Sequence, residues 1–216
     1  MRLRDPDYPG VLITFCGVDG SGKSTLLAAA ADAVRESGLP LYATRMPTQW
    51  SRDTALVKRF LYEPDPAVRA RADLLAFNLV LMADRVQQLR EDVLPRLEAG
   101  EVVLLDRYVF HAFAMADAFG ASRAEIEAIA RHFPMPDAAV FPDAAPEVAI
   151  ARIRQREKER DRFLDEDLLA RQAMAYRGIA AEVGGHVVAT SGDVELAAAR
   201  VRAIVAGALD RARVAV

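Results

Sequence analysis

The run Gly17-Val18-Asp19-Gly20-Ser21-Gly22-Lys23-Ser24 constrains this chain more than any other part of it. It satisfies G-x-x-x-x-G-K-[ST] in full, and it lies between an apolar run, Val11–Cys16, and an Ala- and Leu-rich stretch, Ser24–Ser37. A strand, a glycine-rich turn and a helix in that order make a phosphate cradle. The glycines let the backbone curl so that successive N–H groups point inward at phosphate oxygens. The following helix adds its N-terminal dipole. In such a cradle Lys23 is expected to bridge the β- and γ-phosphates of ATP, and the Ser24 hydroxyl to coordinate Mg²⁺. The bland alternative is a glycine-rich turn that ends by chance in Lys23-Ser24. It does not account for the flanking strand and helix.

The rest of the chain supplies the context this cradle needs. Five short apolar runs are bounded by breakers and read as buried strands: Val11–Cys16, Leu39–Thr44, Glu101–Asp106, Ala138–Phe141 and His186–Ala189. Helical patterns lie between and after them, over Ser24–Ser37, Ala67–Leu97, Ser122–Phe133, Glu147–Glu159, Leu164–Glu182 and Val194–Ala212. Ser122 with Glu125 reads as a capping box. Val201, Ile204, Val205 and Leu209 form a plain packing stripe. Strands alternating with helices imply parallel pairing with right-handed crossovers. The expected architecture is α/β: a three-layer P-loop NTPase fold with a five-stranded parallel sheet flanked by helices and a small helical lid. No repeat or linker breaks the 216 residues, so a single domain is expected over 1–216, with the lid at about 152–164. The strand ending at Asp106 puts an acid where it can hold the Mg²⁺ shell, directly or through water. A helix cap or loop salt bridge is the plainer role for that residue.

Composition removes several classes. The formal net charge is -3, so no overall basic field would gather nucleic acid. Cys16 is the one cysteine, which rules out an internal disulfide and a thiolate metal cluster. Its place at the end of an apolar run suits a buried, inert thiol. The N-terminal residues carry no apolar signal stretch, and no apolar run approaches a membrane span. The expected location is the cytoplasm, with no membrane partner. An Asn-Lys-x-Asp segment for guanine is absent, which disfavours a GTPase.

Further motifs carry a family resemblance. Phe15-Cys16-Gly17 through Ser24-Thr25-Leu26 resembles the P-loop of thymidylate kinases. Ala83-Asp84-Arg85, the segment Leu94-Pro95 to Val102-Val103 leading into Asp106-Arg107-Tyr108, and Pro136-Asp137 resemble other segments of that family in order and spacing. Ala145-Pro146 to Arg152, and Glu159-Arg160-Asp161-Arg162-Phe163, resemble the family's fourth strand and lid. The resemblance runs from Val11 to about Val201.

The resemblance implies roles for matching positions. Arg107 would grip the acceptor phosphate and neutralise charge during transfer. Asp19 would reach the acceptor sugar's 3′-hydroxyl, Arg85 would hydrogen-bond the acceptor base, and Arg45 would line the acceptor site. Gly17, Gly20, Ser21, Gly22, Lys23, Ser24 and Thr25 would hold ATP, Thr190, Ser191 and Gly192 would contact adenine, and Tyr108 joins the binding set through its motif. The P-loop has Gly20 and Ser21 where one subgroup carries an arginine, so the lid must supply it, and Arg156 and Arg162 are the candidates. The plainer reading of the lid, Arg152 to Arg162, is a solvated helix laced with Arg–Glu pairs. A homodimer through Ala67–Leu97 is also implied. Leu74, Leu75, Leu79 and Met82 there suit either a dimer face or the core.

The departures from the pattern cluster at the acceptor base. Leu81 stands where an aromatic is usual, four residues before Arg85, and His111 stands where a small Ser is common. Met115 and Ala116 replace an expected Tyr-Gln, Met46 replaces a Glu or Phe, and Cys16 replaces a Glu. Three functions are carried forward. The first is transfer of the γ-phosphate of ATP to a nucleoside monophosphate, dTMP above others. The second is the same chemistry on a modified nucleotide or other small phosphorylated acceptor. The third is a non-catalytic ATP-binding module, against which the retained Asp19, Arg85, Asp106 and Arg107 speak.

Overall fold

The structure is a computed structural model that describes residues 1–63, 74–157 and 164–214. β1 (Val11–Phe15) runs into the glycine-rich turn and then α1 (Lys23–Glu36). β2 (Leu41–Arg45) is followed by α2 (Gln49–Arg52) and α3 (Ala55–Tyr62), capped by the hydroxyls of Thr48 and Thr54. The long helical stretch comprises α4 (Leu74–Gln88), one π-helical turn over Leu89–Val93, and α5 (Leu94–Glu98). Its expected start at Ala67 lies outside the described residues. Pro95 explains the widened turn: it donates no N–H, and its ring would press on the carbonyl of Glu91, four residues back.

β3 (Val102–Asp106) leads to α6 (Phe110–Phe119) and α7 (Ala124–Ala130). β4 (Ala138–Asp143), α8 (Pro146–Arg154), α9 (Glu166–Val183), β5 (His186–Ala189) and α10 (Val194–Val214) complete the order. Helices α2, α3 and α6 have no counterpart among the expected stretches. In α6 nearly every side chain is buried, so no polar face marks its period. The expected capping box does not form: Arg123 occupies the N-cap, and Ser122 Oγ accepts from Ala124 N at 3.1 Å instead.

The sheet is all parallel, in the order β2-β3-β1-β4-β5. β1 and most of β3 are buried on both faces, as parallel strands covered by helices must be. Their alternation splits the core in two. Val11, Ile13 and Phe15 join Leu26 of α1 and Val201 and Val205 of α10 on one side. Leu12 and Cys16 join α4, α6 and α9 on the other. The expected α10 stripe is buried as a unit. Register then sets up the site. Phe15 and Arg45 both lie opposite Asp106, so the glycine-rich turn, Arg45 and Asp106-Arg107 emerge side by side at the carboxyl edge. Among the described residues, no helix is long and apolar enough to cross a membrane.

Candidate active site

The glycine-rich turn is a partition between two cavities. On one side, Gly20, Gly22, Ser24 and Thr25 line a cavity with Arg152, Arg156 and Thr190. On the other, Asp19 lines a cleft with Arg45, Arg52 and Arg107. Adjacent residues, Asp19 and Gly20, thus face opposite chambers.

The cradle is held from behind. Gly20 and Gly22 have φ of 78° and 85°, the left-handed region that glycine adopts freely. Thr190 Oγ1 donates to Ser21 O at 2.9 Å, and Arg152 donates to Thr190 O at 2.7 Å and to Gly20 O at 3.4 Å. Lys23 Nζ donates to Gly17 O at 3.0 Å and Val18 O at 2.7 Å. Burial, and after it the charge of Arg107, pushes the Lys23 ammonium down to about 7. A polyphosphate would supply the counter-charge it lacks.

The second cleft has a charge gradient. Arg45, Arg52, Arg107 and Asp19 occupy one end. Val57, Phe60, Phe77, Leu81 and Met115 form a separate apolar cluster at the other. Phe60 and Phe77 stack with ring centroids 4.0 Å apart. α2, which carries Arg52, is pinned to α4 by Asp84. That carboxylate accepts from Thr48 Oγ1 at 2.9 Å and from Ser51 N at 3.2 Å.

Arg107 is the hub. It is the one non-glycine residue in the left-handed region among those described, at φ 71°. That conformation costs on the order of 1–2 kcal/mol, and such strain collects at functional sites. Its N–H donates to Phe15 O at 2.8 Å. Its guanidinium pairs with Asp19 at 2.5 Å and donates to Gly17 O at 3.2 Å, which ties the second cleft to the cradle. Burial works against the charge of Arg107, but Asp19 and further partners prevail and raise it above the ordinary arginine value.

Asp106 Oδ1 is buried without a hydrogen-bond partner, while Oδ2 lies 3.9 Å from Arg45 Nε. Ser24 is exposed at the first turn of α1. Among the described residues no cluster of three or more His, Cys, Asp or Glu could hold a metal alone. Mg²⁺ needs no such cluster, because it takes one or two carboxylates together with substrate phosphates and water. The residues present therefore fit Mg²⁺ bound jointly with a nucleotide.

These two chambers sit in a sequence that has known counterparts. The sequence model of the family described as Thymidylate kinase matches residues 15–201. The chain belongs to the thymidylate kinase family. It is 34% identical over 185 residues to the thymidylate kinase of Synechococcus sp. (strain WH7803), covering 81% of this chain and 85% of that one. It is 30% identical over 181 residues to the thymidylate kinase of Leptospira borgpetersenii, covering 83% of each. To a probable thymidylate kinase of Pyrobaculum aerophilum it is 33% identical over 194 residues, covering 88% of this chain and 93% of that one.

Within this thymidylate kinase scaffold, several expected site residues lie elsewhere than their motifs imply. Tyr108 is fully buried. Its hydroxyl donates to Pro134 O at 2.7 Å and its ring packs edge-on against Phe110 and Phe133, so it is a core residue out of a ligand's reach. Ser191 Oγ accepts from Ala145 N at 2.8 Å, which occupies it at the start of α8, and Gly192 lines neither cavity. Ser21 buries its hydroxyl without a partner, so its side chain does not face the cavity beside Gly20 and Gly22. Arg85 is sealed behind the cleft wall. Burial and the nearby Arg107 push it down to about 10, and its Nε and Nη2 have no partner. α8 ends at Arg154, and the described part of the expected lid, through Glu157, is exposed at Arg156. Arg162 lies outside the described residues.

The structure also brings in residues the motifs do not single out. Arg52 lines the second cleft from a helix too short to show a period. The aromatic surface comes from Phe77, eight residues before Arg85, rather than from position 81. Phe77, Leu81 and Arg85 are spaced by four, so they share one helix face. Tyr176 of α9 reaches Arg107 Nη1 at 3.4 Å and His111 Nδ1 at 2.5 Å.

His111 adds a pH dependence. Burial, then Arg107 and Arg85, with Lys23 adding and Asp19 opposing, hold it well below its ordinary 6.5. The unfolded chain therefore binds a proton below 6.5 that the folded chain does not. This contribution to stability is intact above pH 6.5 and is lost as pH falls below it, by at most about 1.4 kcal/mol per pH unit. Thermal unfolding from pH 7.5 to 5 should show wild type losing stability more steeply than His111→Asn. Parallel slopes would remove His111 from the account.

Proposed function

We propose that this protein transfers the γ-phosphate of ATP to dTMP, giving ADP and dTDP. The observation that supports this reading is the partition: one turn of backbone separates a phosphate cradle from a cation-lined cleft, and Lys23 and Arg107 meet at it through Gly17 O. Phosphoryl transfer requires two polyanions held in line with cations spread over the group in flight. The cradle N–H groups, with Gly22, Ser24 and Thr25 nearby, hold the donor polyphosphate. Lys23 turns from the two carbonyls to the phosphates, and Thr190 flanks the nucleoside. Asp106 and Ser24 would hold Mg²⁺, which when bound neutralises charge on the donor phosphates. Arg107, with Arg45 and Arg52, receives the acceptor phosphate. Asp19 lies close to that phosphate and is placed to accept from the sugar hydroxyl. Phe77, Leu81 and Phe60 cover the base, and Arg85 stands behind them with unsatisfied donors.

The relatives, named thymidylate kinases, favour dTMP over a retuned acceptor or a non-catalytic module. The remaining assignments extend the same reading. The chain works as one domain over 1–216. Its lid at about 152–164 brings Arg156 or Arg162 to the phosphates, and the cytoplasm supplies its ATP. A homodimer would form along α4, where Leu75 and Leu79 are exposed while Met82 packs in the core.

The test is ADP release with MgATP and a panel of dTMP, dUMP, UMP, CMP, AMP and GMP. The expected result is that dTMP gives the highest kcat/KM. Equal or better turnover of another monophosphate sinks the dTMP assignment, and failure of every acceptor sinks the kinase reading.

A further inference from the structure

His111 is engaged on one ring nitrogen and open on the other. Nδ1 lies 3.1 Å from Arg107 Nη1 and 2.5 Å from Tyr176 Oη. A guanidinium only donates. Nδ1 must therefore carry a lone pair, and the ring proton of the neutral imidazole is on Nε2. That N–H has no partner among the described residues, and His111 lines the acceptor cleft.

Its position along the cleft narrows what it meets. His111, Met115 and Phe119 recur every four residues on α6 and all line the cleft. Each is displaced by about 6 Å from the last. Behind His111 are the cations and Asp19, and ahead of it are Met115 and the aromatic cluster. A nucleotide with its phosphate at the cations and its base among the apolar groups passes its sugar–base junction in front of His111. Apolar walls grip a base without reading its polar edge, and Asp165, which also lines the cleft, accepts from Leu168 N at 2.9 Å. Gln172, another polar side chain at this end, donates its amide to Met115 Sδ at 2.7 Å.

We propose that His111 is a specificity-determining residue whose Nε2–H donates a hydrogen bond to a carbonyl oxygen of the acceptor's pyrimidine base, with Arg107 and Tyr176 fixing the tautomer. This rests on the reading of the second cleft as the monophosphate site. It also gives the departure at position 111 a function that a small serine could not perform at that reach. Adenine, which carries no carbonyl, would leave this donor unpaired, and a site built to bond one group rejects the analogue that lacks it.

The experiment compares wild type with His111→Gln, His111→Asn and His111→Phe in steady-state kinetics, with thermal unfolding to confirm that each folds. Gln places an amide N–H near the Nε2 position, whereas Asn reaches only the Nδ1 position. The expected result is a KM for dTMP within about threefold of wild type for Gln, its cost falling on kcat through Arg107. For Asn and Phe, KM should rise about 10–100-fold, the effect of leaving one polar contact unmade. As a second arm, 2-thio- and 4-thio-dTMP weaken the acceptor at one carbonyl each. One of them should raise KM in wild type and Gln but leave Asn unchanged.

If Asn keeps its KM and Gln loses it, His111 acts only by holding Arg107, and the proposal is overturned. KM values within threefold for all variants, or no effect of either thio analogue on wild type, overturn it as well. Wild type that is inactive on dTMP overturns the underlying reading first, so the two failures are distinguishable.

Discussion

Replacing Arg107 with Ala is expected to lower turnover of dTMP by roughly 10³–10⁵-fold, the range that a cation stabilising a transferring phosphoryl group supplies. Two changes act together. The guanidinium that bridges Gly17 O and the acceptor cleft is lost. The Asp19 carboxylate, paired with Arg107 at 2.5 Å, then loses that partner and repels the incoming phosphate. Arg107→Lys should recover only part of the rate, because an ammonium restores the charge but not the planar fork that spans several acceptors. MgATP affinity should stay within about threefold, since the donor cavity lies beyond Gly20. The measurement is coupled ADP release at saturating MgATP, with calorimetry for the donor. Turnover within tenfold of wild type would falsify the assignment of Arg107 to the transfer step.

Much of this arrangement is legible in the sequence, for definite reasons. Motif, strand and helix at 11–37 are local to each other, so their pattern survives without tertiary information. The five strands are short, apolar and bounded by Gly or Pro. β5 has the expected bounds, and the other four differ from theirs by a residue or two, with β4 extending through Pro142 to Asp143. α6 and α2 escape notice for opposite reasons. α6 is apolar all round, and α2 is one turn long, so neither displays a helical period.

The site divides along the same line. Residues at strand ends, such as Asp106 and Arg107, are placed by register with β1, and parallel pairing makes that register predictable in outline. Tyr108 shares the motif with them but faces the other way, because the turn at Arg107 sends the next side chain into the core. No linear pattern reports that reversal. Arg52 and Phe77 reach the cleft from two different elements and Tyr176 reaches Arg107 from a third, and only packing brings them together. Arg85 is the case where motif and structure differ most. The residue is where the helix pattern puts it, but the side chain lies behind the lining, with two unsatisfied donors.

Gly20→Ala is expected to weaken MgATP binding by more than about 100-fold and to lower the unfolding temperature by several degrees. A Cβ on Gly20 would stand 2.2 Å from Ala149 O and within 2.9 Å of Ala149 Cα, both backbone atoms of α8. No rotamer change can relieve a backbone clash, so either α8 or the cradle must move. The two are joined at this point, since Arg152 of α8 holds Gly20 O and Thr190 O. Movement would therefore displace the N–H groups that face the phosphates. Left-handed strain adds on the order of 1–2 kcal/mol. Gly38 separates the two effects, because its φ is 75° but nothing lies within 4 Å of an added Cβ. Gly38→Ala should show the strain alone and leave MgATP binding unchanged. Gly22→Ala should fall between them in stability, with its nearest neighbour the Thr190 side chain at 3.4 Å. Calorimetric titration and thermal unfolding of the three variants check the order. Tight MgATP binding by Gly20→Ala would mean that the cradle can shift without losing its N–H array, and that α8 does not set its shape.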